Sequence, residues 1–178
     1  MLEGLNVFRA LEAWGAALYA HWAAAEDDPT LRTGHLIIAE REANHARLLA
    51  ERLRALGAAP QTACVDDVLA RQLVELKDVR GFVAQMDALK AVTDRDAAAL
   101  AGCQAALARG FEAAKAYDPD THAFWVQLYS EERVSGGWYR ATYARLTGRR
   151  EGSVAPPILS PEQVHRRAER ACPIAGAA

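Results

Sequence analysis

From Leu5 to about Glu26 the apolar positions, Leu5, Phe8, Tyr19 and Trp22 among them, recur at helical intervals, which predicts one amphipathic helix. Asp27-Asp28-Pro29 interrupts the pattern, and Asp28 can cap a second helix that begins at Pro29 and runs to about Leu56. Gly57 suits the left-handed position past a helix end, and Pro60 discourages continuation. Between Ala58 and Lys77 a short patch, Val65, Leu69, Leu73 and Leu76, predicts a crossover helix. The helical period returns from about Gly81 through Met86, Leu89, Leu100, Cys103, Leu107 and Phe111, with a break where Thr93 can cap a new start and Asp96 follows three positions on. Asp118-Pro119 repeats the first turn, and a last long helix is expected from about Thr121 to Leu146. Beyond Gly148 the chain mixes Arg, Pro, Ala and Gly; Ser160-Pro161-Glu162-Gln163 opens a short helix to about Arg170, and the rest is read as a partly disordered extension over 149–178. The class is all-α.

A shift of 90 positions (132 − 42) lays Asp28-Pro29 on Asp118-Pro119, Leu56 on Leu146 and Glu42 on Glu132. Two like hairpins joined by a long connection describe a four-helix bundle with one crossover over 1–148.

Three carboxylates break the hydrophobic pattern. With about 100° of turn per residue, Glu12 falls inside the stripe of Phe8, Gly15, Tyr19 and Trp22. On the second helix Glu42, His45 and His35 share the stripe of Leu31, Ile38, Leu49, Leu53 and Leu56. Glu132 is centred among Trp125, Leu128, Tyr139, Tyr143 and Leu146. A carboxylate taken out of water without a partner costs several kcal/mol or takes up a proton, so three in one bundle call for a cation. Glu42 and His45, three positions and about 4.5 Å of rise apart, project from one face and can bind the same ion. Counted from Asp28, Glu12 lies sixteen residues back and Glu42 fourteen forward, hence at nearly one level. Oxygen and imidazole together favour iron, manganese or zinc. The competing reading pairs these carboxylates with Arg9, Arg47 or Arg109.

On these residues, from about Leu5 to Leu146, the chain resembles the ferritin-like superfamily, in particular its rubrerythrin-type and bacterioferritin-type di-iron carboxylate members. In that family each half supplies a Glu from one helix and Glu-x-x-His from the other. Glu12 with Glu42-Ala43-Asn44-His45 resembles a complete first half. The second half keeps Glu132, but Ser135 stands where a His is expected and Gly102 where a Glu is expected. Cys103 and Gln104 are weaker substitute ligands on the third helix, with Asp96 further along it. The resemblance implies one or two iron ions, or manganese, and oxidation by dioxygen or peroxide of ferrous ion or a small organic substrate; the alternative is a bundle with a decayed site that serves as a structural or interaction module. A cage subunit for metal storage ranks below both, because the long tail differs from the short fifth helix of cage-forming relatives.

Other features narrow the picture. His35 is about two turns from Glu42, too far to share its ion, and reads as a core histidine. Tyr19, Tyr129, Tyr139 and Tyr143, with Trp22 and Trp125, are packing residues first and a redox relay second. Gly136-Gly137 in mid-helix suggests close approach of a backbone or ligand. The chain has 178 residues and a net charge of −2 from 21 Lys and Arg against 23 Asp and Glu, which excludes a basic nucleic-acid-binding field. No apolar run is long enough to span a bilayer, and Glu3 and Arg9 are unlike a signal peptide, so a cytoplasmic protein is expected. Cys64, Cys103 and Cys172 are read as reduced thiols. A homodimer is expected, because Leu36, Ile37 and Leu48 lie off the inner stripe.

Overall fold

The computed structural model describes residues 1–149, and the extension expected beyond them, with its short helix and Cys172, lies outside that range. Among the described residues there are six helices and no strand: α1 (Leu2–Ala25), α2 (Pro29–Ala55), α3 (Asp66–Leu76), α4 (Phe82–Arg95), α5 (Ala97–Tyr117) and α6 (Pro119–Thr147).

The two Asp-Pro turns act alike. Asp28 accepts hydrogen bonds from the amides of Thr30 and Leu31 at 2.7 and 3.1 Å, and Asp118 accepts from that of Thr121 at 3.1 Å, each ahead of a proline in the first helical turn. Gly57, at φ 77°, closes α2: its amide donates to the carbonyl of Arg54 and that of Ala58 to the carbonyl of Leu53. The expected third helix is two, divided at Asp96. Thr93 does not cap the second piece; its hydroxyl donates back to the carbonyl of Leu89, while Asp96 is held by Arg95, Arg71 and Gln72. Those partners hold the Asp96 carboxyl well below the usual carboxylate range, the Arg95 hydrogen bond most of all, and Asp96 is thereby committed to the α3–α4–α5 junction.

Side-chain pairs fix the helix directions. Glu12 meets His45 and Trp22 meets His35, so α1 and α2 are antiparallel. His45 meets Glu131, and Arg52 meets Asp118, so α2 and α6 are antiparallel as well. Only Asp118 separates α5 from α6, and Phe111 packs back on His122 and Tyr129, so α5 is antiparallel to α6. The order is therefore one way, back, back and the first way again, which requires a connection running the length of the bundle between α2 and α5. The segment leading into α3 starts beside Asn6, which donates to the carbonyl of Gln61, and α3 climbs along α1 until Trp22 Nε1 donates to the carbonyl of Leu76 at 2.9 Å. Helix α4 then packs its Phe82, Met86, Leu89 and Val92 onto that end of the bundle. Cys64, ahead of α3, is joined to Cys103 on α5 by a disulfide, with Cα atoms 6.0 Å apart. This corrects the expectation of reduced thiols for that pair: Cys103 turns toward the crossover.

The core has two parts. One gathers Leu5, Phe8, Leu49, Leu53, Leu107, Trp125 and Leu128; the other gathers Leu18, Tyr19, Trp22, Ile38, Phe82 and Tyr139. Fully buried Trp22 and Trp125 contribute on the order of 3 kcal/mol each by removing apolar surface from water. Two positions placed by periodicity are corrected. Leu146 is 42% exposed at the end of α6, and Leu48 packs against the first cluster. Between the clusters, on three of the four long helices, lies a polar layer.

Candidate metal centre

The layer consists of Glu12 on α1, Glu42 and His45 on α2, and Glu132 and Ser135 on α6, all at most 5% exposed. Glu12, His45 and Glu132 each present one ligand atom within 4.8 Å of the others. His45 Nδ1 is 2.9 Å from Glu12 Oε2 and 3.1 Å from Glu132 Oε1, and its Nε2 is 2.9 Å from Glu131 Oε2. The Glu42 carboxyl faces those of Glu12 and Glu132, and it fits there because position 15 is glycine: a Cβ on Gly15 would lie 2.8 Å from Glu42 Oε2.

The electrostatics follow from burial and crowding. Burial lifts the Glu12 carboxyl to about 7 against the pull of His45. Burial, then the carboxylates of Glu12 and Glu132, holds Glu42 well above the ordinary carboxylate range. For His45 burial alone would disfavour the cation, but donation to the carboxylates of Glu12, Glu132 and Glu131 outweighs it and pushes the imidazole up to about 10. The more exposed Glu131 is held below its ordinary value by that same imidazole. Glu42 Oε1 and Glu132 Oε2 are buried with no hydrogen-bond partner, and Glu132 Oε1 has only its ion pair with His45 Nδ1 at 3.1 Å. Buried oxygens without partners are costly, and a cation binding there would satisfy them. The donor set of carboxylates plus one imidazole suits a transition-metal ion, so the residues present fit such an ion. His45 would bind it through Nδ1 with Nε2–H held by Glu131, the outer carboxylate that orients a histidine ligand.

Glu12, Glu42, His45 and Glu132 are thus brought together. Cys103 and Gln104 are not: Cys103 is spent in the disulfide and Gln104 is half-buried outside the cluster. Gly102 points to open, exposed space, so the α5 position in register with Glu12 does not face the layer at all. The arginines proposed as partners are elsewhere as well. Arg9 bonds Asn6 and the carbonyl of Gln61, Arg47 pairs with Glu51, and Arg109 lies near Glu3 at the surface.

Two residues were missed from sequence, Glu131 and Arg41. Arg41 donates to Ser135 Oγ at 2.7 Å, across from the His45–Glu131 pair. The shift of 90 that aligns Glu42 with Glu132 also aligns Arg41 with Glu131, a signal the periodicity reading passed over because both lie at the edge of the stripe.

His35 is in the core, ten positions before His45. Its Nδ1 is hydrogen-bonded with Tyr139 Oη at 3.2 Å, among the rings of Tyr19, Trp22, Phe82 and Trp138, and its Nε2 has no hydrogen-bond partner. Comparison with family models, with curated protein sequences and with solved structures finds no match.

Proposed function

We propose that the chain is a ferritin-like metalloprotein in which Glu12, Glu42, His45 and Glu132 hold a transition-metal ion, iron first and manganese second. The observation that carries this reading is the set of buried, unpartnered oxygens of Glu42 and Glu132 beside the Glu12–His45–Glu132 cluster. The helix order with its single long crossover supports it, since that is the arrangement in which two hairpins present facing carboxylates to one centre. A bound iron or manganese ion supplies redox chemistry with dioxygen or peroxide, directed at ferrous ion or a small organic substrate. The chain's own part is to bind the ion through these carboxylates and the imidazole, to orient His45 through Glu131, and to exclude water by closing apolar clusters above and below.

A second reading has its own observation. His45 as an imidazolium donates to carboxylates on both sides, which offsets charge within the layer without any ion. On that reading the bundle is a structural or interaction module.

Elemental analysis of protein purified without chelators, then reloaded anaerobically with ferrous ion and washed, separates the two. Bound iron, consumed as ferrous ion when air is admitted and lost in Glu42→Ala and His45→Ala, supports the first reading. Metal content that stays the same in both variants overturns the ligand assignment, and no metal at all leaves the second reading.

The homodimer remains part of the proposal, supported by Leu36 and Ile37, exposed by 45% and 53% on α2; mass in solution tests it. No helix among the described residues is long and apolar enough to cross a membrane.

A further inference from the structure

We infer that the centre takes a single divalent ion and that the Arg41 guanidinium, bonded to Ser135, stands where a second metal half-site would be completed. The inference rests on the metal reading above and sharpens it to a stoichiometry.

Across the α2–α6 contact two hydrogen-bonded pairs are related by a local pseudo-twofold. His45 Nε2 meets Glu131 Oε2 at 2.9 Å, and Arg41 Nη1 meets Ser135 Oγ at 2.7 Å. Residues 41 and 131, 42 and 132, and 45 and 135 are each 90 apart, so each helix offers the same three positions to its neighbour. On one side those positions hold an imidazole backed by a carboxylate, which is how a metal-binding histidine is oriented. On the other they hold a hydroxyl backed by a guanidinium. Serine has no imidazole nitrogen to offer, and arginine keeps its charge at every pH a protein survives. A second dication beside it would meet a like charge where the first half presents a negative one.

The third helix agrees. Gly102, in register with Glu12, is exposed with open space around it, and neighbouring Cys103 is tied to Cys64. The second half therefore contributes Glu132 alone, and that carboxylate already lies within the cluster formed with Glu12 and His45. Arg41 supplies a built-in cation instead, and it donates also toward the carbonyl of Glu131 at 3.4 Å.

The test is an anaerobic titration of the metal-free full chain with manganese(II), the bound ion counted by elemental analysis and read by electron paramagnetic resonance. One ion per chain with the hyperfine pattern of an isolated ion is expected. Two ions per chain, or the exchange-broadened signal of a close pair, overturn the inference and leave the metal reading intact; no bound ion overturns the metal reading and the inference with it. Arg41→Glu combined with Ser135→His, which copies the His45–Glu131 arrangement onto the second half, is expected to add a second ion; a double variant with unchanged circular dichroism that still binds one overturns the role given to this pair. Arg41→Gln keeps the question open to refutation should the double variant not fold. Removing the like charge is expected to tighten the single manganese ion several-fold, and an unchanged affinity overturns the charge argument.

Discussion

His35 and His45 stand on the same helix, about 15 Å of rise apart, and both are fully buried. One is pushed up to about 10 by three carboxylates; the other is pushed down to about 4 by burial among aromatic rings, with only Tyr139 and Gln85 for polar company. Equal burial thus produces a cation in one layer and a neutral ring in the next. The difference lies in the partners. The carboxylate layer carries charge that must be balanced, whereas the aromatic layer carries shape that must be filled, and each should fail in its own way when disturbed.

The largest contrast comes from making both histidines phenylalanine. In metal-free protein at neutral pH, His45→Phe removes the one cation inside the layer and leaves Glu12 and Glu132 facing each other, a loss of about 3–5 kcal/mol typical of breaking a buried ion pair. His35→Phe surrenders one hydrogen bond with Tyr139 and keeps an aromatic ring among aromatic rings, a cost of about 1 kcal/mol. Urea unfolding measures both. Equal losses would break the comparison.

Acid and base should separate the layers as well. For His35 the folded value of about 4 lies below the ordinary 6.5, so the unfolded chain takes the proton first and stability falls as the pH drops from 6.5 to 4. A difference of that size corresponds to about 3 kcal/mol. For His45 the folded value is raised, so its contribution is fully present below 6.5 and is lost as the pH rises through 10. Unfolding midpoints across both windows, each taken as wild type minus the phenylalanine variant, should slope downward toward acid for His35 and toward base for His45. A His35 difference that is flat from 6.5 to 4 would mean that the aromatic pocket tolerates the charge.

What the sequence disclosed follows the same division. Helix periodicity and the repeated Asp-Pro turn located α1, α2 and α6, because capping and amphipathicity are local properties written in adjacent residues. Glu12, Glu42, His45 and Glu132 were legible because charge inside an apolar stripe is conspicuous. The break near Thr93 and Asp96 was legible too, but the α5 partner was not, because the ties of Asp96 to Gln72 and Arg71 and the cystine to Cys64 depend on contacts with the crossover, and no local pattern records them. Glu131 and Arg41 escaped for a related reason: each is half-buried on the margin of its helix, and its role appears only when α2 and α6 face each other.

Two glycines probe the layers with a single methyl group. At Gly34 a Cβ would lie 2.0 Å from the Trp138 ring, which packs edge-on to His35 and Phe82. Gly34→Ala must therefore displace that indole, and the expected loss is about 1–3 kcal/mol despite the better helix former. At Gly15 the obstructed atom is the end of a glutamate side chain, which can swing aside. Gly15→Ala should leave the unfolding midpoint nearly unchanged and weaken manganese binding by about tenfold, or 1.4 kcal/mol. Stability lost at Gly15, or metal affinity lost at Gly34, would show that the layers are not separable.

The smallest effect is expected at Gly137, one turn beyond Glu132 on α6. A glycine pair in mid-helix invites the reading that something comes close there, yet a Cβ on Gly137 would meet only Arg140 Nη2, at 3.9 Å. Nothing offsets the backbone freedom that glycine retains in the unfolded chain. Gly137→Ala should therefore stabilise the protein by about 0.5–1 kcal/mol, the ordinary helix preference of alanine over glycine, with manganese stoichiometry and affinity as in wild type. A gain of that size with binding untouched confines the polar layer to the residues around Glu12, Glu42, His45 and Glu132. A loss of metal affinity at this open position would extend the layer one turn toward the aromatic cluster, and the boundary between the two histidines would have to be redrawn.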